Sequence, residues 1–464
     1  MTATTAPARA SIPTATIIAC GLALGVAYTL SPLTVLALSA LASASIAAGR
    51  GLSERERRWY WSILTVGVLI RLIAIALLFY TADPARPFAS FFGDEELYKF
   101  RTVWLRNIGQ GLPMSPADVI YSFDSVGHTS YVYVLAFVQA LVGDAPYGLH
   151  VMNMALYMCG LLGLYRVARA SYGGVAAMGG FILLLFLPSV ALWSISVLKE
   201  PMSVFMTAVE LICAMAIVLA RRWWQKAAAL LAVAAAGLAM ETLRQGGELT
   251  AAAGTLGGLL LIFMLSRGRR VAVAMIAAPV VVIALATAPW VQERVLANVR
   301  NAAIYHSGHV ATPGYSYQLV HRGYYANRSK LLDMPPGEAA GFVVKAVVAY
   351  FAQPLPWEVR SRMMLAYMPE LMLWYLTALL LPFGIYAGLR RDVVLTSMLV
   401  AHAAAVILIV AVSSGNIGTL IRHRALALPY LVWLSAVGAH DCARRLAAGR
   451  AGLNRGRHDG GSIQ

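Results

Sequence analysis

Between Phe91 and Tyr98 the chain reads Phe-Phe-Gly-Asp-Glu-Glu-Leu-Tyr, which sets three carboxylates side by side at Asp94, Glu95 and Glu96. Adjacent acids repel one another and lose hydration beside apolar surface, so such a run points to a cationic or reacting partner. A positioned carboxylate can take the proton of an incoming hydroxyl, whose own pKa lies far above neutrality. A further acid, Glu200, stands in Ser-Val-Leu-Lys199-Glu200-Pro201. Facing Asp94 and Glu95 across a cleft, it would complete a carboxylate group drawn from two loops. One acid could then act as base while another orients a sugar, a developing cation or a divalent metal ion. The structural reading of Glu200 is an acid favouring a helix N-terminus, with Pro201 as ordinary helix punctuation.

Cations accompany these acids. Lys199 precedes Glu200, Arg244 lies in Glu241-Thr-Leu-Arg-Gln-Gly-Gly-Glu248, and Arg422, His423 and Arg424 close Gly415-Asn-Ile-Gly-Thr-Leu-Ile-Arg-His-Arg. Guanidinium forks match phosphate oxygens bidentately, so these positions suit a lipid phosphate; snorkelling at a helix end is the structural alternative. A longer stretch, from Tyr305 through Arg322 and Tyr324 to Lys330, interleaves aromatics with cations. That mixture serves sugar stacking and phosphate contact, or a membrane interface. His306 and His309 have a spacing that could hold a metal on a helix, but no carboxylate or cysteine lies close by in the sequence.

The elements that must position these residues are membrane helices. Hydrophobic residues make up 59% of the 464 positions and charged residues 12%, where soluble domains carry ~25% charged residues, so the chain reads as an all-α polytopic membrane protein. At ~20 apolar residues per span, twelve spans are expected, beginning near residues 14, 32, 60, 147, 174, 201, 226, 247, 271, 368, 393 and 424. The first two form a hairpin at Ser31-Pro32, retained rather than cleaved as a signal peptide. Cationic loops resist translocation, and starting the N-terminus inside collects 20 Lys and Arg against five acids on the inner face, both termini included. The +16 net charge is therefore a matter of topology and attraction to anionic membrane lipid, not of nucleic acid. Such a chain fits a bacterial cytoplasmic (inner) membrane. The four cysteines suggest neither a disulfide framework nor a metal motif.

In this topology the outer face carries two long stretches, 81–146 and 290–367, and the short loops holding Lys199-Glu200, Arg244 and Arg422. Three parts follow: an N-terminal hairpin and inner loop over 1–59, a membrane domain over 60–441, and a basic tail over 442–464 that is expected to be disordered. Residues 95–108 carry apolar side chains at helical spacing and read as a helix lying in the interface. Residues 129–142 and 338–352 are read the same way. Within the spans, Arg71 and Glu210 are expected to pair with each other, and His150, Asn153 and His402 to form interhelical hydrogen bonds.

The Asp-Glu pair with Tyr98 three residues beyond Glu95, the second loop ending Leu-Lys-Glu-Pro, and the Asn416 to Pro429 stretch before the last span together resemble the GT-C superfamily of membrane glycosyltransferases. The closest general type is the family 39-like group of protein O-mannosyltransferases and aminoarabinose transferases, over roughly residues 60–441. The resemblance implies a GT-C-like fold and transfer, with inversion, of a sugar from a polyprenyl-phosphate donor to a glycan, lipid or protein acceptor on the outer face. Asp94 matches the catalytic carboxylate of the first loop, with Glu95 beside it; Glu200 falls where the second loop usually supplies an acid, often Asp. Lys199, Arg244, Arg422 and Arg424 are the expected donor-phosphate contacts, and Tyr98, His423, Arg322 and Tyr324 the expected substrate contacts. The one cofactor these residues admit is a divalent cation, which would sit among Asp94, Glu95 and Glu200. Two other readings compete: an O-antigen-type oligosaccharide polymerase or ligase relying on Arg322 or Arg328, and a secondary transporter, which would normally carry its polar groups near the midplane.

Overall fold

Serine caps open the first two described helices. Ser31 Oγ accepts from the Thr34 N–H with Pro32 at the first helical position, and Ser53 and Glu56 close a reciprocal capping box. The computed structural model describes residues 18, 21, 22, 25, 31–83, 85–124, 129–265, 287–312, 314–358 and 362–459. Its helices are α1 (Pro32–Gly49), α2 (Glu54–Tyr80), α3 (Gly93–Gly109), α4 (Pro116–Ser122), α5 (Ser130–Val142), α6 (Pro146–Tyr172), α7 (Gly174–Phe186), α8 (Pro188–Ile195) and α9 (Glu200–Leu219). They continue as α10 (Trp223–Leu243), α11 (Gly247–Leu265), α12 (Pro289–Val310), α13 (Arg322–Ala326), α14 (Pro336–Ala352), α15 (Arg362–Arg391), α16 (Val393–Ser413), α17 (Ile417–Arg424) and α18 (Leu428–Asp459). Among the described residues the only β pairing is a bridge between Ser316 and Asn416.

Eight of these helices are long and apolar enough to cross a membrane. Two further pairs, α7 with α8 and α17 with α18, pass the same test together but bend by 64° and 69° at their breaks, giving up to ten spans. The expected spans beginning near residues 14 and 271 lie almost wholly outside the described residues. Helix α5, at 13 residues, rises only ~20 Å, and α14, at 17 residues, ~25 Å, against a hydrocarbon core of ~30 Å. Both are short of a span, as is α3.

Three expectations are corrected. Residues 289–310, read as part of an outer loop, form the 22-residue helix α12. Glu293, Arg294 and Arg300 keep it from reading as a span, while Pro289 at its first turn starts it. The tail, expected to be disordered, continues α18 to Asp459. Arg71 and Glu210 do not pair: Arg71 binds Ser194 Oγ and the Gly67 and Leu185 carbonyls, while Glu210 Oε1 lies 2.8 Å from His402 Nε2. Each buried charge finds its partner where helix packing sets it, which spacing along one chain does not reveal.

Close helix contacts rest on glycine. Gly384 of α15 and Gly438 of α18 face backbone: a Cβ on Gly384 would fall 1.9 Å from the Leu434 carbonyl oxygen, and one on Gly438 2.4 Å from that of Leu380. Gly254 of α11 likewise leaves room for the His402 ring of α16. That ring also stacks on Tyr430 at 5.3 Å, so a polar cluster from α9, α11, α16 and α18 is locked inside apolar packing.

Candidate functional site

Asp94 occupies the second position of α3, whose cap is Phe92, where a carboxylate is favoured by the helix N-terminus. Tyr98 follows one turn later on the same face, and both line a cavity of about 1150 Å³. Glu95 and Lys99 occupy the adjoining face and are buried together, with Lys99 Nζ 3.5 Å from Glu95 and 3.0 Å from His150 Nε2. Burial pushes the Glu95 carboxyl up to about 7, against the opposing pull of Lys99, and holds the Lys99 amine below its ordinary value. Glu95, expected beside Asp94 as a catalytic acid, does not line the cavity; its carboxylate is turned inward to Lys99.

The other walls come from the loops assigned by charge to the same face. Lys199 caps α9, Arg244 ends α10, and α17, set off from α18 by the break, presents Arg422 and His423. Glu241 shapes the turn behind Arg244 by accepting from the Gly246 and Glu248 N–H groups at 2.9 and 3.1 Å. The positive φ of Gly246, 87°, is a conformation that side chains disfavour.

Arg422 is the hub. Its Nη1 donates to Asp94 Oδ2 at 2.6 Å and its Nε to Glu200 Oε1 at 2.8 Å, while Arg244 Nη2 donates to that same Glu200 oxygen at 3.1 Å. Glu200 is only 2% exposed and is not part of the cavity wall; it anchors two guanidinium groups from behind. Expected as a reacting acid, Glu200 is placed as the buried counterion of Arg244 and Arg422. Asp94, by contrast, has a side chain 65% exposed and stands at the rim. Lys199 makes no ion pair among the described residues, and burial, with the neighbouring Arg244 and Arg422 charges, brings its pKa down to about 8. Burial also lowers Arg244 and raises Tyr98. Three cations, Lys199, Arg244 and Arg422, thus gather with three carboxylates, Asp94 and Glu241 in the wall and Glu200 behind it. The wall also carries apolar side chains, Met240, Val406, Ile409, Val410 and Leu426 among them.

Several expected residues lie elsewhere. Arg424 is buried and holds the end of α14: its Nε donates to the Tyr350 carbonyl at 3.0 Å, its Nη2 to the Tyr350 and Gln353 carbonyls, and its guanidinium lies 4.5 Å from the Trp374 ring. Residues two apart on a helix point about 200° apart, so Arg422 and Arg424 cannot share the cavity. Arg322 and Tyr324 are not part of the wall either; the Tyr324 hydroxyl donates to Glu338 at 2.6 Å. His306 and His309 sit on one helix as their spacing allowed, and each ring is bonded to a carbonyl, of Ser414 and Ser413 respectively; His309, unlike His306, lines the cavity. Among the described residues no group of three or more His, Cys, Asp or Glu side chains could hold a metal ion, so the divalent-cation expectation at Asp94, Glu95 and Glu200 finds no ligand set; Arg422 fills the space between Asp94 and Glu200.

One site residue escaped sequence reading. Trp193 of α8 stacks on Phe92 at 4.0 Å and lies 5.5 Å beneath the Arg422 guanidinium. Nothing in the sequence separates it from the other nine tryptophans. Comparison with protein-family models, with curated proteins and with solved structures finds no match for this chain.

Proposed function

We propose that the chain is a membrane glycosyltransferase of GT-C type that moves a sugar from a polyprenyl-phosphate donor to a hydroxyl of a glycan, lipid or protein acceptor, at the outer face of a bacterial cytoplasmic membrane. The observation that carries this reading is the shared cavity: an exposed carboxylate, Asp94, beside three cations, Lys199, Arg244 and Arg422, in a wall that also carries apolar side chains. An amphiphile with an anionic head and a hydrocarbon tail matches that combination of cations and apolar side chains. The acceptor hydroxyl attacks the anomeric carbon, its proton passes to Asp94, and the bond from that carbon to the phosphate oxygen breaks in the same displacement, which inverts the centre. The departing phosphate gains charge that Lys199, Arg244 and Arg422 are preorganised to receive, and that differential stabilisation is what accelerates the step. No metal is required in this scheme.

Purified protein incubated in detergent with a panel of polyprenyl-phosphate sugars and a mixed acceptor extract tests the reading: it expects loss of one donor with release of polyprenyl phosphate. Transport of the lipid-linked sugar, a reading favoured by the buried Glu210–His402 pair within the spans, predicts no consumption in detergent and movement only across sealed vesicles.

A further inference from the structure

The break between α7 and α8 is held by two buried charges of opposite sign that contribute nothing to the cavity wall. Arg71 of α2, 1% exposed, donates from Nη2 to the Leu185 carbonyl at 2.9 Å, one of the carbonyls left without a helical partner where α7 stops. The Tyr157 hydroxyl takes the neighbouring Leu184 carbonyl at 2.7 Å. On the other side of the break, Glu370 of α15, 7% exposed, accepts from the Ser189 N–H at 2.9 Å and from the Ser189 hydroxyl. Pro188 opens α8 without an N–H, so Ser189 supplies its first free donor. A cation thus sits at the carbonyl end of one half-helix and an anion at the amide end of the next, each matched to the dipole it faces.

Arg71 also reaches along α8, donating from Nε to Ser194 Oγ at 2.7 Å. The residue before Ser194 is Trp193, whose ring spans Phe92, two positions from Asp94, and Arg422. Beyond α8 the chain runs directly to Lys199 and Glu200, with Asn153 Nδ2 donating to the Ser196 and Leu198 carbonyls at 2.6 and 3.1 Å. We infer that Arg71 and Glu370 are positioning residues of the candidate site, clamping the broken helix so that α8 holds Trp193 between the Asp94 loop and Arg422. They touch no cavity group themselves and act through Ser189, Ser194 and Trp193.

Ser194→Ala removes the bond from Arg71 to α8, and Glu370→Gln removes the negative charge and one of the two oxygens that accept from Ser189, each with little change of volume. Labelling with 5-fluorotryptophan, with the Trp193 signal assigned by Trp193→Phe, reads the ring directly in the intact protein by fluorine NMR. In both variants the Trp193 line is expected to shift or broaden while that of Trp59, at the far end of α2, stays in place; an unchanged Trp193 line in both overturns the inference. A second arm rests on the anionic-ligand reading above and uses farnesyl phosphate. Its Kd should rise roughly fivefold in Ser194→Ala and in Trp193→Leu, and no further in the double variant, as expected of residues acting through one contact. Losses that multiply, or an unchanged Kd in Ser194→Ala, overturn the inference. Failure of the unmodified protein to bind farnesyl phosphate counts against the ligand reading alone, because the fluorine signal still decides the clamp.

Discussion

Arg422 and Asp94, 328 positions apart in sequence, meet through a 2.6 Å hydrogen bond at the rim of the cavity. The same guanidinium reaches back to buried Glu200, so one side chain ties the exposed acid to the anchored cation pair. Replacing Arg422 with Lys keeps the charge but loses the fork that binds two acids at once. Affinity for a polyprenyl-phosphate donor should fall roughly tenfold. Titration of the variant with farnesyl phosphate checks this, and an unchanged Kd would reduce Arg422 to a structural tie.

Glu200→Gln removes the buried counterion from Arg244 and Arg422 while preserving shape. Two guanidinium groups are left facing each other without a buried anion, at a cost on the order of 3 kcal/mol. Thermal unfolding in detergent should move down by several degrees. A melting temperature equal to that of the unmodified protein would show that Glu200 does not organise the pair.

Anion binding should depend on pH through Lys199. Its pKa is held down to about 8, chiefly by burial, so its positive charge is present at pH 7 and largely gone at pH 9, when about a tenth stays protonated. Farnesyl phosphate should bind more weakly as pH rises through that value, and Lys199→Met should flatten the profile. For stability the sign is opposite. Between about 8 and the ordinary 10.5, the folded state binds fewer protons than the unfolded chain, so this residue's contribution to stability rises with pH. A pH profile identical in Lys199→Met would remove Lys199 from the binding group.

Gly254→Ala should destabilise the bundle without touching the cavity. A Cβ there would lie 2.3 Å from His402 Cδ2 and push the ring away from Glu210, leaving a fully buried carboxyl short of its partner. A loss of about 2–4 kcal/mol is expected. Thermal unfolding measures it, and a neutral result would mean that α11 and α16 part more easily than their packing suggests.

Much of this arrangement was legible in the chain. The four segments holding Asp94, Lys199, Arg244 and Arg422 were assigned to one face by the distribution of Lys and Arg, and they line one cavity. Tyr98 was recoverable because it follows Asp94 by four positions on a helix. The same periodicity, applied strictly, separates Glu95 from Asp94 and Arg424 from Arg422, whose types alone had grouped them. Partner choice across helices was not legible. Arg71 goes to the α7–α8 break and Glu210 to His402 because of how the spans rotate and pack, and Trp193 gains its place only from the bend between two half-helices. Helix α12 was hidden by charges that exclude it from a span without excluding it from a helix.

The most direct measurement compares Asp94→Asn with the unmodified protein for both binding and turnover of a lipid-linked sugar that the latter consumes. The side chain keeps its size at the rim, and Arg422 keeps its hold on Glu200. Donor binding should therefore persist within roughly a few fold, while transfer should drop by a factor on the order of 100 or more for want of a proton acceptor. Turnover by Asp94→Asn equal to that of the unmodified protein would contradict the account at its centre.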